Sequence, residues 1–192
     1  ESSVLNRMKL TFATNDIEGK LKQAFPELSD ISVSLPLMGR SPLIRATAEQ
    51  PALLLTSDRG VFLVGVSGKV LAKTADVTGS EGLTIPTIQD QAGLQLSPGK
   101  GALSKQDVTF ITTLIKQFDH QNITITSLTL PALASELHVR IAGVPYYIKF
   151  SLLTDPRVAT GQYFALKDKL AKDGVTPAEY VDSRIEERVY YK

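Results

Sequence analysis

The chain ends with the stretch Tyr180-Val-Asp-Ser-Arg-Ile-Glu-Glu-Arg-Val-Tyr-Tyr-Lys192. Aromatic and β-branched residues are concentrated near both of its ends, and such residues favour β-strands. The pair Glu186 and Glu187 separates the two halves and predicts a tight bend or a bulge. A terminal strand at a sheet edge leaves its outer N–H and C=O groups unpaired, so it is either blunted by charge or used to pair with a partner. The stretch therefore indicates a binding role.

The composition is that of a folded protein, with 192 residues of which 43% are hydrophobic and 21% are charged. The formal net charge is +1 and neither sign forms a block, so charge does not indicate nucleic acid as a partner. The absence of cysteine excludes disulfides and thiolate metal sites. No run reaches the roughly 18 apolar residues of a membrane span. Because the first residue is Glu1, we expect this chain to be part of a longer protein with a membrane anchor upstream.

The first third of the chain predicts a small α+β module. Alternating apolar residues predict a strand from Val4 to Phe12. Asn15 and Glu18 have the spacing of a capping box, which predicts a helix that ends at Pro26. Short apolar runs separated by turn residues then predict five strands. These strands cover Ile31–Leu37, Leu43–Ala48, Leu53–Thr56, Val61–Val66 and Lys69–Ala72.

Glycine, proline and polar residues dominate from Lys73 to Lys100 and predict a linker or domain boundary. After it, Ser104 and Asp107 have capping-box spacing and precede a strongly amphipathic helix that extends to Phe118. The remaining predicted elements are strands over Ile123–Leu130, Glu136–Ile141 and Tyr146–Leu152, a helix over Gly161–Lys172, and the terminal strand.

The candidate catalytic residues lack the companions that catalysis requires. His120 lies in a polar connection, and His138 alternates with apolar neighbours on a predicted strand, so we expect solvated or sheet-surface roles for both. The stretch from Gly93 to Gly101 resembles a phosphate-binding loop, but its first spacing is one residue too long and Gly101 replaces the hydroxyl residue that holds magnesium. We therefore predict a protein that is not an enzyme, with no catalytic residues, no metal and no cofactor.

Three motifs, taken in order, resemble the FtsQ/DivIB family of bacterial cell-division proteins. The segment from Asn15 to Leu28 is similar to the family's first helix with its Phe-Pro turn, and Glu49-Gln-Pro51 matches a Glu-x-Pro motif. The most specific motif is Tyr180-Val-Asp-Ser-Arg184 near the end of the chain. Two positions depart from the family pattern: Gly65 stands where an Asp is usual, and Ser183 where an apolar residue is usual.

The resemblance implies an α+β protein with two domains. Residues 1–73 would form a POTRA-type domain, in which helices lie on a small mixed sheet. Residues 74–192 would form a larger β domain with flanking helices and a C-terminal edge strand.

The resemblance also implies a non-enzymatic scaffold of the divisome, anchored in the cell membrane by a single span that precedes this chain, with the chain on the extracytoplasmic side at the division site. Its partners would be FtsB/DivIC-like and FtsL-like proteins, bound by β-strand augmentation at the C-terminal strand, and a septal peptidoglycan synthase complex is a further candidate. The partner-binding residues carried over from the family are Arg184, Ile185, Glu186, Arg188, Val189, Tyr190 and Tyr191.

Other interpretations of the same residues remain open. A POTRA-containing domain also suits a system for outer-membrane assembly or protein export, although no repeat of the module is present. An extracytoplasmic hydrolase is the alternative from a different class. Tyr190 and Tyr191 also suit a purely structural role at the sheet edge, where Arg188 and Lys192 would act as gatekeepers against aggregation.

Overall fold

The computed structural model describes residues 14–34, 41–76, 85–133, 135–186 and 188–192. Within these ranges the chain forms three α-helices and eleven β-strands, which confirms the predicted α+β class. The strand predicted from Val4 to Phe12 lies outside the described residues. No helix in the described ranges is long and apolar enough to cross a membrane.

The N-terminal part consists of one helix and a two-stranded antiparallel sheet. Its elements are α1 (Thr14–Ala24), β1 (Leu28–Ser34) and β2 (Leu43–Ala48). The predicted capping box at Asn15 and Glu18 is wrong, because the helix already includes Thr14 and Asn15. The Glu18 carboxylate instead accepts a hydrogen bond of 2.7 Å from the Val33 main-chain N–H, which connects α1 to β1.

The remaining strands form one nine-stranded mixed sheet with the order β11-β10-β9-β8-β7-β6-β3-β4-β5. The strands are β3 (Pro51–Ser57), β4 (Gly60–Gly65), β5 (Val70–Lys73), β6 (Thr87–Asp90), β7 (Ile125–Leu130), β8 (Glu136–Ile141), β9 (Tyr147–Ser151), β10 (Tyr180–Ile185) and β11 (Arg188–Tyr191). The helices α2 (Lys105–His120) and α3 (Pro156–Asp173) connect them, together with a short 3₁₀ turn at Thr74–Asp76.

Strand β6 lies inside the region predicted as a linker. It pairs in parallel with β3 on one side and with β7 on the other, and its Ile88 side chain is fully buried. The sheet therefore continues past residue 73, where the sequence predicts a division into two domains. That division stays a prediction.

Helices α2 and α3 pack together on one face of the sheet, which we call the helix face. Phe118 of α2 stacks on Tyr163 of α3 with ring centroids 5.7 Å apart, and Phe150 of β9 meets Phe118 edge to face at 6.3 Å. Alternate residues of β8 to β10 point to the opposite face, which we call the open face. The two faces thus separate an apolar core from a polar surface.

Local signals explain where both helices begin. Ser104 and Asp107 form the predicted capping box of α2. Helix α3 begins at Pro156, before its predicted start at Gly161. Asp155 is the N-cap, since its carboxylate accepts from the N–H groups of Arg157 and Val158. Gly174, with a φ of 66°, ends the helix in the left-handed conformation that glycine adopts most easily.

Candidate partner-binding edge

Strands β10 and β11 form an antiparallel hairpin at one edge of the nine-stranded sheet. Val181 pairs with Tyr191 and Asp182 with Tyr190, and the register then shifts before Ile185 pairs with Arg188. Such a shift is typical of a β-bulge, which bends the strand and increases its twist. The predicted edge strand is therefore present, and the register shift lies between Asp182 and Ile185, before the predicted bend at Glu186 and Glu187.

The main chain of β11 has one paired side and one side directed away from β10. The Lys192 N–H donates to the Tyr180 carbonyl at 3.1 Å, so the main-chain N–H and C=O groups of Lys192 point toward β10. Hydrogen-bonding groups alternate in direction along an antiparallel strand. By this alternation the N–H and C=O groups of Tyr190 also point toward β10, whereas those of Val189 and Tyr191 point outward. The outward groups are the ones that an added strand would use.

The side chains of the hairpin leave apolar and aromatic surface exposed. The relative exposures are 54% for Ile185, 51% for Tyr190 and 49% for Tyr191. Tyr190 is the partner of Asp182 in the register and so lies on the open face, whereas Tyr191 is opposite Val181 on the helix face. An added strand would therefore meet an aromatic ring on either face of the sheet.

The other predicted contact residues of the hairpin differ in their surroundings. Val189 is partly buried and packs against the hydrophobic core, so it anchors β11. Glu186 lies exposed in the turn, and Arg188 is exposed at the start of β11. The predicted gatekeeper Lys192 is ion-paired with Glu179 at 2.7 Å.

Arg184 lies on the open face and is already engaged within the chain. Its Nε and Nη2 atoms donate to the two oxygens of Asp182 at 2.8 and 2.6 Å. Its Nη1 atom donates to Oε1 of Glu136. Hydrogen bonds from Arg184 lower the pKa of Asp182, and the bond to Asp182 is the main cause that raises the pKa of the guanidinium. The predicted binding role of Arg184 would thus use a side chain that its own sheet holds in place.

Glu136 also belongs to this region, although no sequence motif indicates it. It opens β8 and is only 9% exposed, and its second oxygen lies 3.2 Å from Nε2 of His138. Burial is the main cause that lowers the pKa of His138. In the sequence Glu136 lies 48 positions before Arg184, so no local spacing signals their contact.

Aromatic and cationic side chains also lie on the open face, next to Arg184 and Glu136. Lys149 of β9 lies with its Nζ 3.8 Å from the ring centroid of Tyr180, a distance at which a cation is attracted to the ring. The ring of Tyr147 is 4.9 Å from that of His138. These contacts link β8, β9 and β10 across the open face.

Helix α3 supports the hairpin from the helix face. It contacts both β10 and β11, and the Ser183 hydroxyl donates to the Ala159 carbonyl at 3.1 Å. The buried Ser183 hydroxyl is thus satisfied by the helix. Val158 and Val175, near the two ends of α3, are exposed apolar side chains.

The main-chain groups of the loop that resembles a phosphate-binding site form hydrogen bonds with strand β5. Gly99 N–H donates to the Val70 carbonyl, and the Lys100 carbonyl accepts from the Val70 N–H, both at 2.8 Å. The loop thus pairs with β5 and does not present a ring of free N–H groups to an anion. In the part of the chain that the structure describes, no group of three or more His, Cys, Asp or Glu side chains is arranged to hold a metal ion.

No protein-family model matches the chain, and a search of curated proteins finds no match.

Proposed function

We propose that the protein is a non-enzymatic scaffold of the bacterial divisome of the FtsQ/DivIB type. In this proposal it is anchored in the cell membrane, with this chain on the extracytoplasmic side at the division site. It binds FtsB/DivIC-like and FtsL-like proteins by β-strand augmentation at strand β11. A septal peptidoglycan synthase complex would join the same assembly.

The observation that carries the proposal is the position of β11 at the edge of the sheet. The outward N–H and C=O groups of Val189 and Tyr191 suit a partner strand, whose main-chain hydrogen bonds would supply affinity. Tyr190 and Tyr191 stand on opposite faces of the strand, and tyrosine is among the residues that contribute most at interfaces. Arg188 and Glu186 add opposite charges that would select the partner's sequence.

Truncation after Glu187 tests whether β11 carries the binding. We expect the truncated protein to lose measurable affinity for the FtsB/DivIC-type protein of the same organism in isothermal titration calorimetry. Circular dichroism and thermal unfolding show whether the truncated protein is still folded. Unchanged affinity in a folded truncation would overturn the proposal.

A subtler change separates main-chain pairing from side-chain contacts. Replacing the Tyr191 main-chain N–H by an ester oxygen, introduced by semisynthesis, removes one outward donor and keeps every side chain. Because a hydrogen bond contributes about 0.5–1.5 kcal/mol, we expect partner affinity to fall by about 2- to 10-fold with little change in thermal unfolding.

The matched control places the same ester at Tyr190, whose N–H is directed toward β10. This control is expected to lower the unfolding temperature, because it removes an internal bond of the hairpin. If the Tyr191 ester leaves affinity unchanged while truncation abolishes it, the partner binds through side chains and the proposed β-augmentation is wrong.

A further inference from the structure

The Glu136 carboxylate joins strands that are not neighbours. Its Oε1 atom accepts from Arg184 of β10 and its Oε2 atom lies beside His138 of β8. Strand β9 lies between β8 and β10, and the register places Ser151 of β9 opposite Glu136. The ion pair thus passes over β9, and it fixes β10 relative to β8 independently of the main-chain ladder.

The Arg184 end of this ion pair lies within the irregular part of the hairpin. The register of β10 with β11 is regular up to Asp182 and is shifted at Ile185. Arg184 is therefore one of the residues whose main chain makes the bulge. The direction in which β11 leaves the turn depends on the conformation at this bulge.

The guanidinium of Arg184 is held from two sides. Asp182, two residues before it on the same strand, binds Nε and Nη2, and Glu136 binds Nη1 from another strand. The bonds to Asp182 are local and would follow any movement of β10. Among the described residues, the bond to Glu136 is the one that connects the arginine to a different strand of the sheet.

We infer that Glu136 is a positioning residue for partner binding by the β10–β11 hairpin. It acts through Arg184, and its low exposure keeps it away from direct contact with a partner strand at β11. The inference rests on the proposed function, because it assigns Glu136 a role in the binding at that same edge.

The substitution Glu136→Gln tests the inference with little change of shape. It removes the charge that holds Arg184 and keeps an oxygen and a similar volume. We expect affinity for the FtsB/DivIC-type partner to fall by at least about threefold, as groups within one ion-pair network are coupled. Hydrogen exchange at the amides of Tyr190 and Lys192 should become faster, because the hairpin is held less firmly.

A control variant separates positioning from general stability. Val64 of β4 is fully buried near the opposite edge of the sheet, so Val64→Ala lowers global stability and leaves the ion pair intact. We expect this variant to keep wild-type affinity and wild-type exchange in β11. If Val64→Ala weakens binding as much as Glu136→Gln does, the role of Glu136 is only structural and the inference is wrong.

A double-mutant cycle with Arg184→Met completes the test. If Glu136 acts through Arg184, then Glu136→Gln has little further effect on affinity once Arg184 is replaced. Additive losses would contradict this route. Loss of binding on truncation after Glu187, combined with full binding by Glu136→Gln, would reject the positioning role and leave the proposed function standing. Full binding by the truncated protein would reject the proposed function itself.

Discussion

Gly65 leaves room for the carboxylate of Glu49, the first residue of the Glu-x-Pro motif. A Cβ atom at Gly65 would collide with the end of the Glu49 side chain, which is buried and accepts a hydrogen bond of 2.9 Å from the Ser67 N–H. Lys69 extends the contact, since its Nζ lies 3.8 Å from Glu49 and donates to the Pro26 carbonyl at 3.1 Å. The space that a side chain at position 65 would need is thus occupied by the carboxylate of Glu49.

The first prediction is that Gly65→Ala destabilises the protein. Crowding of this kind costs about 1–3 kcal/mol, which should appear as a lower midpoint in urea-induced unfolding. Gly101→Ala is the matched control, because a Cβ atom at Gly101 meets nothing within 4 Å. Equal midpoints for the two variants would show that Glu49 is free to move aside.

A second prediction concerns the pH dependence of stability. Burial lowers the folded-state pKa of His138 from its ordinary value of 6.5, so the unfolded chain binds more protons just below that pH. This contribution to the free energy of unfolding is complete above pH 6.5 and is lost as the pH falls from there to the folded-state pKa. Glu136 opposes this effect by raising the pKa, whereas Lys149 and Arg184 lower it further.

Urea unfolding at a series of pH values from 7.5 to 5 measures this dependence. We expect the free energy of unfolding of His138→Gln to fall less steeply in this range than that of the wild type. His120→Gln controls for the loss of a histidine at another place. Asp182 adds a separate loss at lower pH, because Arg184 lowers its pKa below 3.8 and the stabilising charge disappears as the pH falls through the folded-state value.

At the scale of single elements, α3 depends on its N-terminal cap. Asp155 satisfies two N–H groups of the first turn at 2.8 and 3.1 Å. We expect Asp155→Ala to lower the free energy of unfolding by about 1 kcal/mol, which is typical for the loss of such a cap. Asp168→Ala, an exposed position within the same helix, is the control and should change stability little. Equal effects of both substitutions in thermal unfolding would contradict the capping role.

The elements that local patterns determine were predicted well. The capping box at Ser104 and Asp107 and the apolar spacing of α2 depend on residues within a few positions of one another. The start of α3 differs from the prediction, because the apolar spacing begins only after Gly161, whereas the helix begins at the local signal Asp155-Pro156. Strand β6 was missed because four residues among glycines and prolines show little periodicity, and their assignment as a strand depends on pairing with distant strands.

In the candidate site, too, some features depend on local sequence and others on contacts between distant residues. Strand propensity near the chain end predicted β10 and β11 and the bend at Glu186, since these are properties of neighbouring residues. The engagement of Arg184 by Glu136 was not predictable, because it depends on strand order and register across β9. Local sequence therefore predicts the edge strand, whereas the three-dimensional arrangement shows which side chains support it.

At the scale of the whole molecule, the two halves of the nine-stranded sheet differ in what they contribute to the core. Strands β7 to β11 carry the aromatic core with α2 and α3, and strands β3 to β5 form a meander on the other side of β6. The proposed binding edge at β11 and strand β5 therefore lie at the two opposite edges of one continuous hydrogen-bonded sheet, whereas β1 and β2 form a separate two-stranded sheet.

The parallel pairing of β6 on both sides has a consequence for biosynthesis. When the chain is synthesised from its N-terminus, β3 can pair with β4 early, but its other side stays unpaired until residues 87–90 have been synthesised. The other side of strand β6 stays unpaired until residues 125–130 have been synthesised. A nascent chain arrested between these points would present an incomplete sheet capable of joining other copies, and the arrival of β7 would cover the exposed side of β6.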